Sequence, residues 1–331
     1  MAEQARHLGW DAQVGSIDSP AKPRIPSAGD LVGFVFPVHG FTTISAMLRF
    51  VWNYPRGNRS VSVFAAAATG GCRFGPVKLP GWEGSGLYLP LLVLCLKGYR
   101  CAGALPMRST PENWTALVPA CREADCRSMM GATHVEAYSF VRDMLAGRRV
   151  FLGKVSLLFG IMALPVSVLY LCFARFFLAK MFFASSRCNG CGLCAQGCPV
   201  AAIDMKRGRP YWKLQCESCM RCMNYCPQRA IQASQLLALA FLLFGAGALA
   251  RASAALLKGC LGEKFAEWTG WMLSLPLSIL VLVAVYRVWF FLLGWRPINL
   301  FFEYTTLTRW FRRYREPETR RSDLVSKPVK S

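Results

Sequence analysis

The sequence predicts three kinds of structure: an α/β domain over residues 1–150, a small α+β domain at 183–232, and hydrophobic helices beside that small domain. Short apolar runs that end in Gly-rich or Pro-rich loops predict the first, and a repeated cysteine pattern predicts the second. Uncharged runs of 19 to 21 residues predict the helices. Hydrophobic residues make up 54% of the 331-residue chain, and its mean hydropathy of +0.31 favours contact with a membrane.

The N-terminal stretch alternates apolar runs with helical stretches. The runs "LVGFVF" (31–36), "VSVFAAA" (61–67) and "YRCAGAL" (99–105) have the length and composition of buried strands. Helices are predicted between them at 41–52 and 85–96. This alternation predicts a parallel sheet covered by helices. Ligands bind at the carboxyl ends of such strands, so we expect any site of this domain in the loops that follow them.

An uncharged run at 155–174 is interrupted by Pro165, with Gly160 shortly before it. Each half is too short to cross a hydrocarbon core of about 30 Å. Basic residues flank the run on both sides, whereas a crossing helix concentrates them on one side. They are Arg142, Arg148, Arg149, Lys154, Arg175, Lys180 and Arg187. We therefore expect 151–182 to form a bent helical segment associated with one leaflet of a membrane; a Pro-kinked crossing is the alternative.

Two cysteine-rich stretches, "CNGCGLCAQGCP" and "CESCMRCMNYCP", lie 28 residues apart and match position by position. Each reads C-x2-C-x2-C-x3-C-P. The cysteines are Cys188, Cys191, Cys194 and Cys198 in the first stretch, and Cys216, Cys219, Cys222 and Cys226 in the second. This spacing is typical of bacterial ferredoxins with two [4Fe–4S] clusters, and residues 187–232 resemble that domain.

The spacing also predicts which cysteines share a cluster. Three thiolates at two-residue intervals wrap one face of a cubane, and the fourth cysteine lies too far round to close it, so it ligates the other cluster. We therefore assign one cluster to Cys188, Cys191, Cys194 and Cys226, and the other to Cys216, Cys219, Cys222 and Cys198. Gly190, Gly192 and Gly197 would let the first loop approach its cluster closely. Four-cysteine zinc sites use two separated C-x2-C pairs, which this pattern does not match.

Clusters of this type pass single electrons, and two neighbouring clusters make a short electron path. We expect a soluble redox protein as donor or acceptor. Four basic residues lie between the two motifs: Lys206, Arg207, Arg209 and Lys213. They would guide an acidic partner, or form only a solvated loop.

Two further uncharged runs, 230–250 and 268–286, are long enough to span a membrane. We expect a two-helix transmembrane hairpin over 233–295, with buried core helices as the alternative. The loop 251–267 carries three basic and two acidic residues, whereas the tail 296–331 is strongly basic. The positive-inside rule then places the tail, the cysteine repeat and the N-terminal domain on the cytoplasmic side of the cell membrane.

The loops after the three predicted strands carry a second resemblance. A strand followed by "PVHG", a strand followed by "ATGG", and the stretch "KGYRCAGALPMRSTPENW" resemble the flavodoxin-like half of the fused flavodoxin–ferredoxin proteins of the EFR1 type. The resemblance extends to the cysteine repeat and to the tail "TTLTRWFRRY". It implies a flavin mononucleotide (FMN) whose ring lies against these loops. The implied contacts are Pro37, His39, Gly40, Thr69, Gly70, Gly71 and Asn113.

The N-terminus departs from that family. Flavodoxins begin with a strand and a loop rich in Ser, Thr and Gly that holds the flavin phosphate. "MAEQARHLGWDAQVGSID" instead looks like the helix after that loop, followed by the second strand. The domain is therefore expected to be a flavodoxin-like domain truncated at its N-terminus. Either the true start lies upstream, or the domain binds flavin weakly or not at all.

These features together predict a membrane-attached protein that passes single electrons through two [4Fe–4S] clusters, coupled to FMN. The alternative is a redox-sensing or scaffold subunit with structural clusters and no flavin. The net charge of +21 is attributed to contact with an anionic membrane surface, and no nucleic acid is expected as a partner. The seven cysteines outside the repeat are expected to be small buried residues. Catalytic triads, zinc protease motifs and P-loops are not recognisable in the sequence.

Overall fold

The computed structural model describes residues 1–17, 25–69, 72–74, 77–79, 83–108, 115–116, 119–120, 122–240, 252, 255 and 263–313. The chain divides into two compact units, residues 1–113 with 120–171, and residues 114–119 with 172–331. Predictions for Gly70, Gly71, Asn113, residues 241–250 and residues 314–331 lie outside the described residues.

The first unit is built on a sheet whose strands follow the order β2-β1-β3-β6-β7. The strands are β1 (Leu31–His39), β2 (Thr42–Thr43), β3 (Ser62–Ala68), β6 (Arg100–Met107) and β7 (Val150–Phe151). Neighbours pair in parallel, except that β2 returns antiparallel to the end of β1. A separate hairpin joins β4 (Cys72–Phe74) to β5 (Val77–Leu79). The predicted α/β class is confirmed, and each predicted strand starts within one residue of an observed one.

Helices cover both faces of this sheet. They are α1 (Ala2–His7), α2 (Ser45–Asn53), α3 (Tyr88–Leu96) and α4 (Glu123–Leu145). Phe34 of β1 is buried with Val51 of α2 on one face, whereas Phe64 of β3 is buried with Phe140 of α4 on the other. Because both of its faces are covered, β3 can be almost continuously apolar, as parallel strands usually are.

The second strand expected near the N-terminus is not found in residues 11–17. The expected helix is present as α1, but the residues after it contain only scattered apolar positions, too few to be buried on both faces of a parallel sheet. Within the described residues, β1 therefore pairs along its length with β3 alone, and meets β2 only at Val38 and His39.

A bent helical segment follows β7. It consists of α5 (Lys154–Met162), α6 (Leu164–Leu169), a π-helical turn (Tyr170–Ala174) and α7 (Arg175–Ala179). The helices on either side of Ala163 meet at 69°. Pro165 stands in the first turn of α6, where its missing N–H has no intrahelical acceptor to lose. The position of Pro165 is thus compatible with a new helix that begins after the bend.

The second unit contains two copies of a strand–helix–strand motif. The first copy is β8 (Phe182–Ala184), α8 (Leu193–Gln196) and β9 (Ile203–Lys206); the second is β10 (Arg209–Trp212), α9 (Arg221–Tyr225) and β11 (Ile231–Ala233). The strands pair antiparallel across the copies, β8 with β11 and β9 with β10. Residues 28 positions apart therefore occupy equivalent places in the two copies, which is the structural form of the sequence repeat.

The described chain continues with α10 (Gln235–Ala240), α11 (Glu263–Leu292), α12 (Arg296–Thr305) and a 3-10 turn at Leu307–Arg309. The predicted spanning run 230–250 is wrong at its start, because residues 231–233 form β11 and the helix begins only at Gln235. Helix α11 contains the whole second run, 268–286.

Among the described residues, no single helix is both long and apolar enough to cross a membrane. Two bent pairs meet that requirement by length and composition: Lys154–Met162 with Leu164–Ala179 at 69°, and Pro276–Leu292 with Arg296–Thr305 at 114°. The predicted transmembrane hairpin over 233–295 is therefore not shown.

Candidate iron–sulfur centre

The loop that carries the first three cysteines has the same backbone conformation in both copies of the repeat. Gly190 and Gly192 have φ values of 74° and 73°, and their counterparts Ser218 and Met220 have 51° and 60°. Left-handed φ values disfavour residues with a Cβ by about 1–2 kcal/mol. The second copy adopts the same turn without glycine, so the loop conformation is imposed by the motif as a whole. Gly197, the third predicted glycine, has a φ of −85° and needs no such freedom.

The turn after the last cysteine of each copy is also repeated. The N–H of Ala202 donates to the Cys198 sulfur at 3.2 Å, and the N–H of Ala230 donates to the Cys226 sulfur at 3.4 Å. The residue before each donor, Ala201 or Arg229, has a left-handed φ of 48° or 49°. Hydrogen bonds from N–H groups favour the thiolate, which is the form that binds metal.

Two cavities lie in the cysteine repeat, and each contains cysteines from both copies. The first cavity is lined by Cys188, Cys191, Cys194 and Cys226, and also by Cys222. The second cavity is walled by Cys198, Cys216, Cys219 and Cys222. The structure thus brings together the cysteines that the sequence grouped, including the exchange of Cys198 and Cys226 between copies. Within the described residues, no three His, Cys, Asp or Glu side chains converge to hold a single metal ion.

The cysteines are buried to different degrees. Cys191 is exposed at the first cavity, whereas Cys216 is buried at the second. Burial raises the pKa of the Cys194 and Cys216 thiols to about 12, and raises the pKa of Cys222 well above its usual value. Thiolates in such places need a compensating positive charge, which iron would provide.

Unpaired donors line the second cavity and fit an iron–sulfur cluster. The Trp212 indole N–H and the Ser218 hydroxyl are buried and have no hydrogen-bond partner with good geometry. Both nevertheless act on cysteine sulfur: Trp212 opposes the burial that raises the pKa of Cys222, and Ser218 does the same for Cys216. Sulfur atoms are the acceptors that these donors face, so the residues present fit the group that the motif implies.

Two cations that sequence reasoning did not connect with this site lie beside it. Lys180 is 1% exposed and its ammonium donates to the Trp212 carbonyl; burial lowers its pKa to about 8, and the Cys216 thiolate opposes that shift. Burial lowers the pKa of Arg313 to about 10, opposed by Cys226 and Cys222. The sequence predicts Lys180 only as one of the basic residues that flank the uncharged run 155–174. Because the residue is buried, it adds no charge to the surface. A single lysine within "FFLAKMFFA" was the available signal.

The four basic residues predicted to guide a partner make contacts within the second unit. Arg207 stacks on the Phe291 ring at 4.3 Å, and Arg209 donates to the Leu293 carbonyl. The Lys206 ammonium lies 4.0 Å from the Tyr211 ring centroid, and Lys213 pairs with Asp204 at 3.0 Å. The β9–β10 hairpin is thereby attached to α11, which explains part of the basic character of this loop without a partner.

The strand ends predicted to hold FMN do come together in the first unit. Pro37 at the end of β1 pairs in register with Ala68 at the end of β3. Thr69, the next residue, is buried and its N–H donates to the Met107 carbonyl at 3.1 Å. The predicted loops therefore lie side by side at the carboxyl edge of the sheet, as the α/β class requires.

The loop after β1 is covered by the chain itself, which does not fit a flavin ring. The Tyr170 hydroxyl lies 3.3 Å from His39 Nδ1, and a Cβ added to Gly40 would come within 2.3 Å of the Tyr170 ring. The Ser167 hydroxyl lies 3.3 Å from the Gly40 and Phe41 carbonyls. Tyr170 and Ser167 therefore occupy the space beside His39 and Gly40, and the contacts of these two residues with FMN stay a prediction.

A buried ion pair fixes the start of the covering segment. Glu83 is fully buried and accepts a hydrogen bond from Arg108 Nε at 3.0 Å. Ser156 of α5 donates to the same carboxylate. At Gly160, a Cβ would lie 2.7 Å from the Ser85 amide nitrogen, so α5 approaches the 3-10 turn at Gly84–Gly86 too closely for a side chain.

The expectation of small buried cysteines outside the repeat holds only in part. Cys126 is buried but takes part in a disulfide, Cys172 is exposed, and Cys95 is joined to Cys101 by a disulfide. The pair lies where α3 ends and β6 begins, which apolar composition alone does not indicate.

Comparison with known proteins bears on the cysteine repeat only. No curated protein and no solved structure matches the chain. Residues 187–231, which contain all eight cavity cysteines, match the family model of the 4Fe-4S dicluster domain, and the chain therefore carries an iron–sulfur module of ferredoxin type.

Proposed function

We propose that this protein transfers single electrons through two [4Fe–4S] clusters and is attached to the cytoplasmic face of the cell membrane. The observation that carries the proposal is the pair of cavities: each is lined by three cysteines of one copy and the fourth cysteine of the other, and Cys222 lines both. The assigned ligands are Cys188, Cys191, Cys194 and Cys226 for the first cavity, and Cys216, Cys219, Cys222 and Cys198 for the second.

Each cluster, when bound, takes up and releases one electron at a time. The protein supplies the thiolates, the N–H donors that stabilise them, and the buried surroundings that exclude water. Its two cavities differ in exposure, since Cys191 reaches solvent and Cys216 does not. A soluble redox protein would therefore exchange electrons at the first cavity.

Membrane attachment is supported by helices whose polarity is reversed. In α5 and α6 the buried residues are small or polar (Ser156, Gly160 and Ser167), while the apolar residues point outward. The exposed apolar side chains are Val155, Leu157, Leu158, Phe159, Ile161, Met162, Leu164, Val166, Val168 and Leu169. A helix on a water-facing surface shows the opposite arrangement, and an apolar patch of this extent marks a contact site.

The charges beside this patch favour a lipid surface as the contact. Arg148, Arg149 and Lys154 are exposed immediately before and at the start of α5, where they would meet anionic headgroups. Helix α12 has the same reversed polarity, with Asn299 and Glu303 buried and Phe301 and Tyr304 exposed. The hairpin predicted over 233–295 would add a crossing, and would place loop 251–267 beyond reach of a membrane-impermeant label applied from the cytoplasmic side.

The proposed function includes no step through a flavin, because Tyr170 and Ser167 cover the loop after β1. The same observation favours the second candidate, in which the α/β unit is a docking or sensing module and the clusters are structural. The two candidates differ in turnover: only the first predicts sustained electron flow to an external acceptor.

The test is iron and acid-labile sulfide analysis of the full chain purified anaerobically in detergent, followed by electron paramagnetic resonance (EPR) after reduction. About eight irons and eight sulfides per chain are expected from two cubane clusters, together with reduction of an artificial acceptor under steady-state conditions. Zinc without sulfide would overturn both candidates. Full clusters without turnover would leave the sensing or scaffold role.

A further inference from the structure

A buried lysine lies next to the second cavity. Lys180 lies between α7 and β8 and is 1% exposed. Its ammonium donates to the Trp212 carbonyl and lies 4.3 Å from the Tyr286 ring centroid and 5.1 Å from that of Tyr211. One carbonyl and two aromatic faces are weak compensation for a cation removed from water, because the loss of hydration disfavours a buried charge.

Among the described residues, no carboxylate forms an ion pair with Lys180. Glu217, an acid that lines the second cavity, is paired with Arg175 at 3.7 Å. The anionic group that acts on Lys180 is the Cys216 thiolate, whereas Lys206 and Arg287 are further cations that act against its charge. An anionic group in the second cavity, which Cys216 lines, would supply the compensation that Lys180 lacks among the described residues.

Trp212 connects Lys180 to that cavity. Its carbonyl accepts the Lys180 hydrogen bond, its own N–H lies 3.3 Å from the Tyr286 hydroxyl, and its indole lines the cavity beside Cys222. Lys180 is thus hydrogen-bonded to a strand residue that also lines the second cavity.

We propose that Lys180 is the buried counter-cation of the cluster held by Cys198, Cys216, Cys219 and Cys222, and that its charge raises the reduction potential of that cluster. This inference rests on the proposed function, because it requires a cluster in the second cavity. A positive charge fixed at close range in a medium of low dielectric constant stabilises the reduced, more negative state more than the oxidised state. Lys180 is a positioning residue for charge and does not ligate iron.

The test compares Lys180→Gln, which keeps a donor for the Trp212 carbonyl but removes the charge, with Lys180→Arg, which keeps the charge. Lys97→Gln is the matched control, because the Lys97 ammonium also donates to a carbonyl, that of Tyr54 at 2.6 Å, but in the first unit. Full-length proteins are titrated anaerobically with EPR detection, and the wave of the second cavity is identified by its loss in Cys198→Ser.

Lys180→Gln is expected to make reduction at the second cavity at least tenfold less favourable, which is about 59 mV for one electron. The first-cavity wave, Lys180→Arg and Lys97→Gln should stay close to wild type. EPR reports only molecules that retain the cluster, so partial cluster loss does not hide the shift. Complete loss from Lys180→Gln with retention in Lys180→Arg also supports a charge role.

An unchanged potential in Lys180→Gln, or equal changes in the Gln and Arg variants, would overturn the role of the charge while leaving two reducible clusters in place. Loss of clusters from both variants would show that the residue acts only through packing. Absence of iron and sulfide from the wild-type protein would instead overturn the proposed function itself, so the two failures are distinguishable.

Discussion

Cys198 lies in the first copy of the repeat by sequence but lines the second cavity. We expect Cys198→Ser to lower the iron content from about eight to about four atoms per chain, with the first cavity retaining its cluster. Adding Cys216→Ala to this variant should change nothing further, whereas adding Cys188→Ala should remove the remaining iron. Cys172→Ser, at an exposed cysteine outside both cavities, is the control. Iron loss on adding Cys216→Ala would contradict the exchange of ligands.

Ala201 is an exposed residue held at a φ of 48°. Ala201→Gly is expected to stabilise the second unit by about 0.5–1 kcal/mol, because relief of left-handed strain exceeds the added chain entropy of glycine. The midpoint of cluster loss in guanidinium chloride, measured anaerobically, reports the change. Ala195→Gly inside α8 should shift the midpoint downward. Equal downward shifts in both variants would show that the left-handed turn is not strained.

Some residues of this site can be predicted from the sequence, and others cannot. The eight cysteines are found from spacing, because a cubane dictates the intervals between its ligands along the chain. Lys180 and Trp212 follow no such interval: they meet across β8 and β10, whose pairing partners are set by the whole domain. Tyr170 was equally hidden, since its contact with His39 joins positions 131 residues apart.

The reversed polarity of α5 and α6 predicts which substitutions would weaken the proposed contact with a membrane. Ile161 and Met162 are 66% and 71% exposed, and burying such side chains in lipid contributes roughly 1.5–3 kcal/mol each. The double variant Ile161→Glu with Met162→Glu should therefore bind anionic lipid vesicles at least tenfold more weakly in a flotation assay. Val135→Glu, at a 70% exposed valine on α4, should float like wild type.

Equal binding of all three proteins would place the membrane contact elsewhere in the chain. Strong binding to neutral vesicles, unchanged by salt, would exclude the basic residues Arg148, Arg149 and Lys154 from the contact and leave only its apolar part.

Elements with a clear period or composition were predictable, and those defined by distant pairing were not. The strands of the first unit and the alternation with helices follow from apolar runs and turns. The prediction of a helix over the whole run 230–250 was wrong at its start, because hydropathy depends on composition alone. "IQA" at 231–233 is apolar enough to extend a helix, yet it pairs with residues 182–184 and completes the ferredoxin module. An apolar run in the sequence does not reveal whether those residues will pair with another strand.

At the scale of the whole molecule, cluster removal should affect the two units differently. The loops of the second unit hold Ser218 and Met220 at left-handed φ values and carry buried thiols of raised pKa, so they need iron to stay folded. The first unit has its own core on both faces of a sheet. After oxidative chelation of iron, we expect trypsin to cut between residues 187 and 229 while the first unit remains intact.

Mass spectrometry of the fragments, with the anaerobic iron-loaded protein as control, reads out this difference. Equal protection of the 187–229 region with and without iron would show that the protein fold alone holds the loops.

The kinds of domain could be predicted from the sequence more reliably than the cofactor of the first domain. The α/β and iron–sulfur parts follow from pattern, but the flavin implied by the resemblance does not fit the loop after β1. The reason is spatial: "VSLLFG" and "LPVSVLY" were read for their relation to a membrane. Their buried Ser156 contacts Glu83, and their buried Ser167 and Tyr170 contact the loop after β1, so the segment proposed to meet a membrane also covers that loop.

Because the first strand of the iron–sulfur module pairs with its last, the chain enters and leaves the module at neighbouring positions. Phe182 stands opposite Ala233, so the polypeptide enters and leaves the module within one strand spacing, about 4.8 Å. A module closed in this way can be spliced into a surface loop of an unrelated host without forcing its neighbours apart.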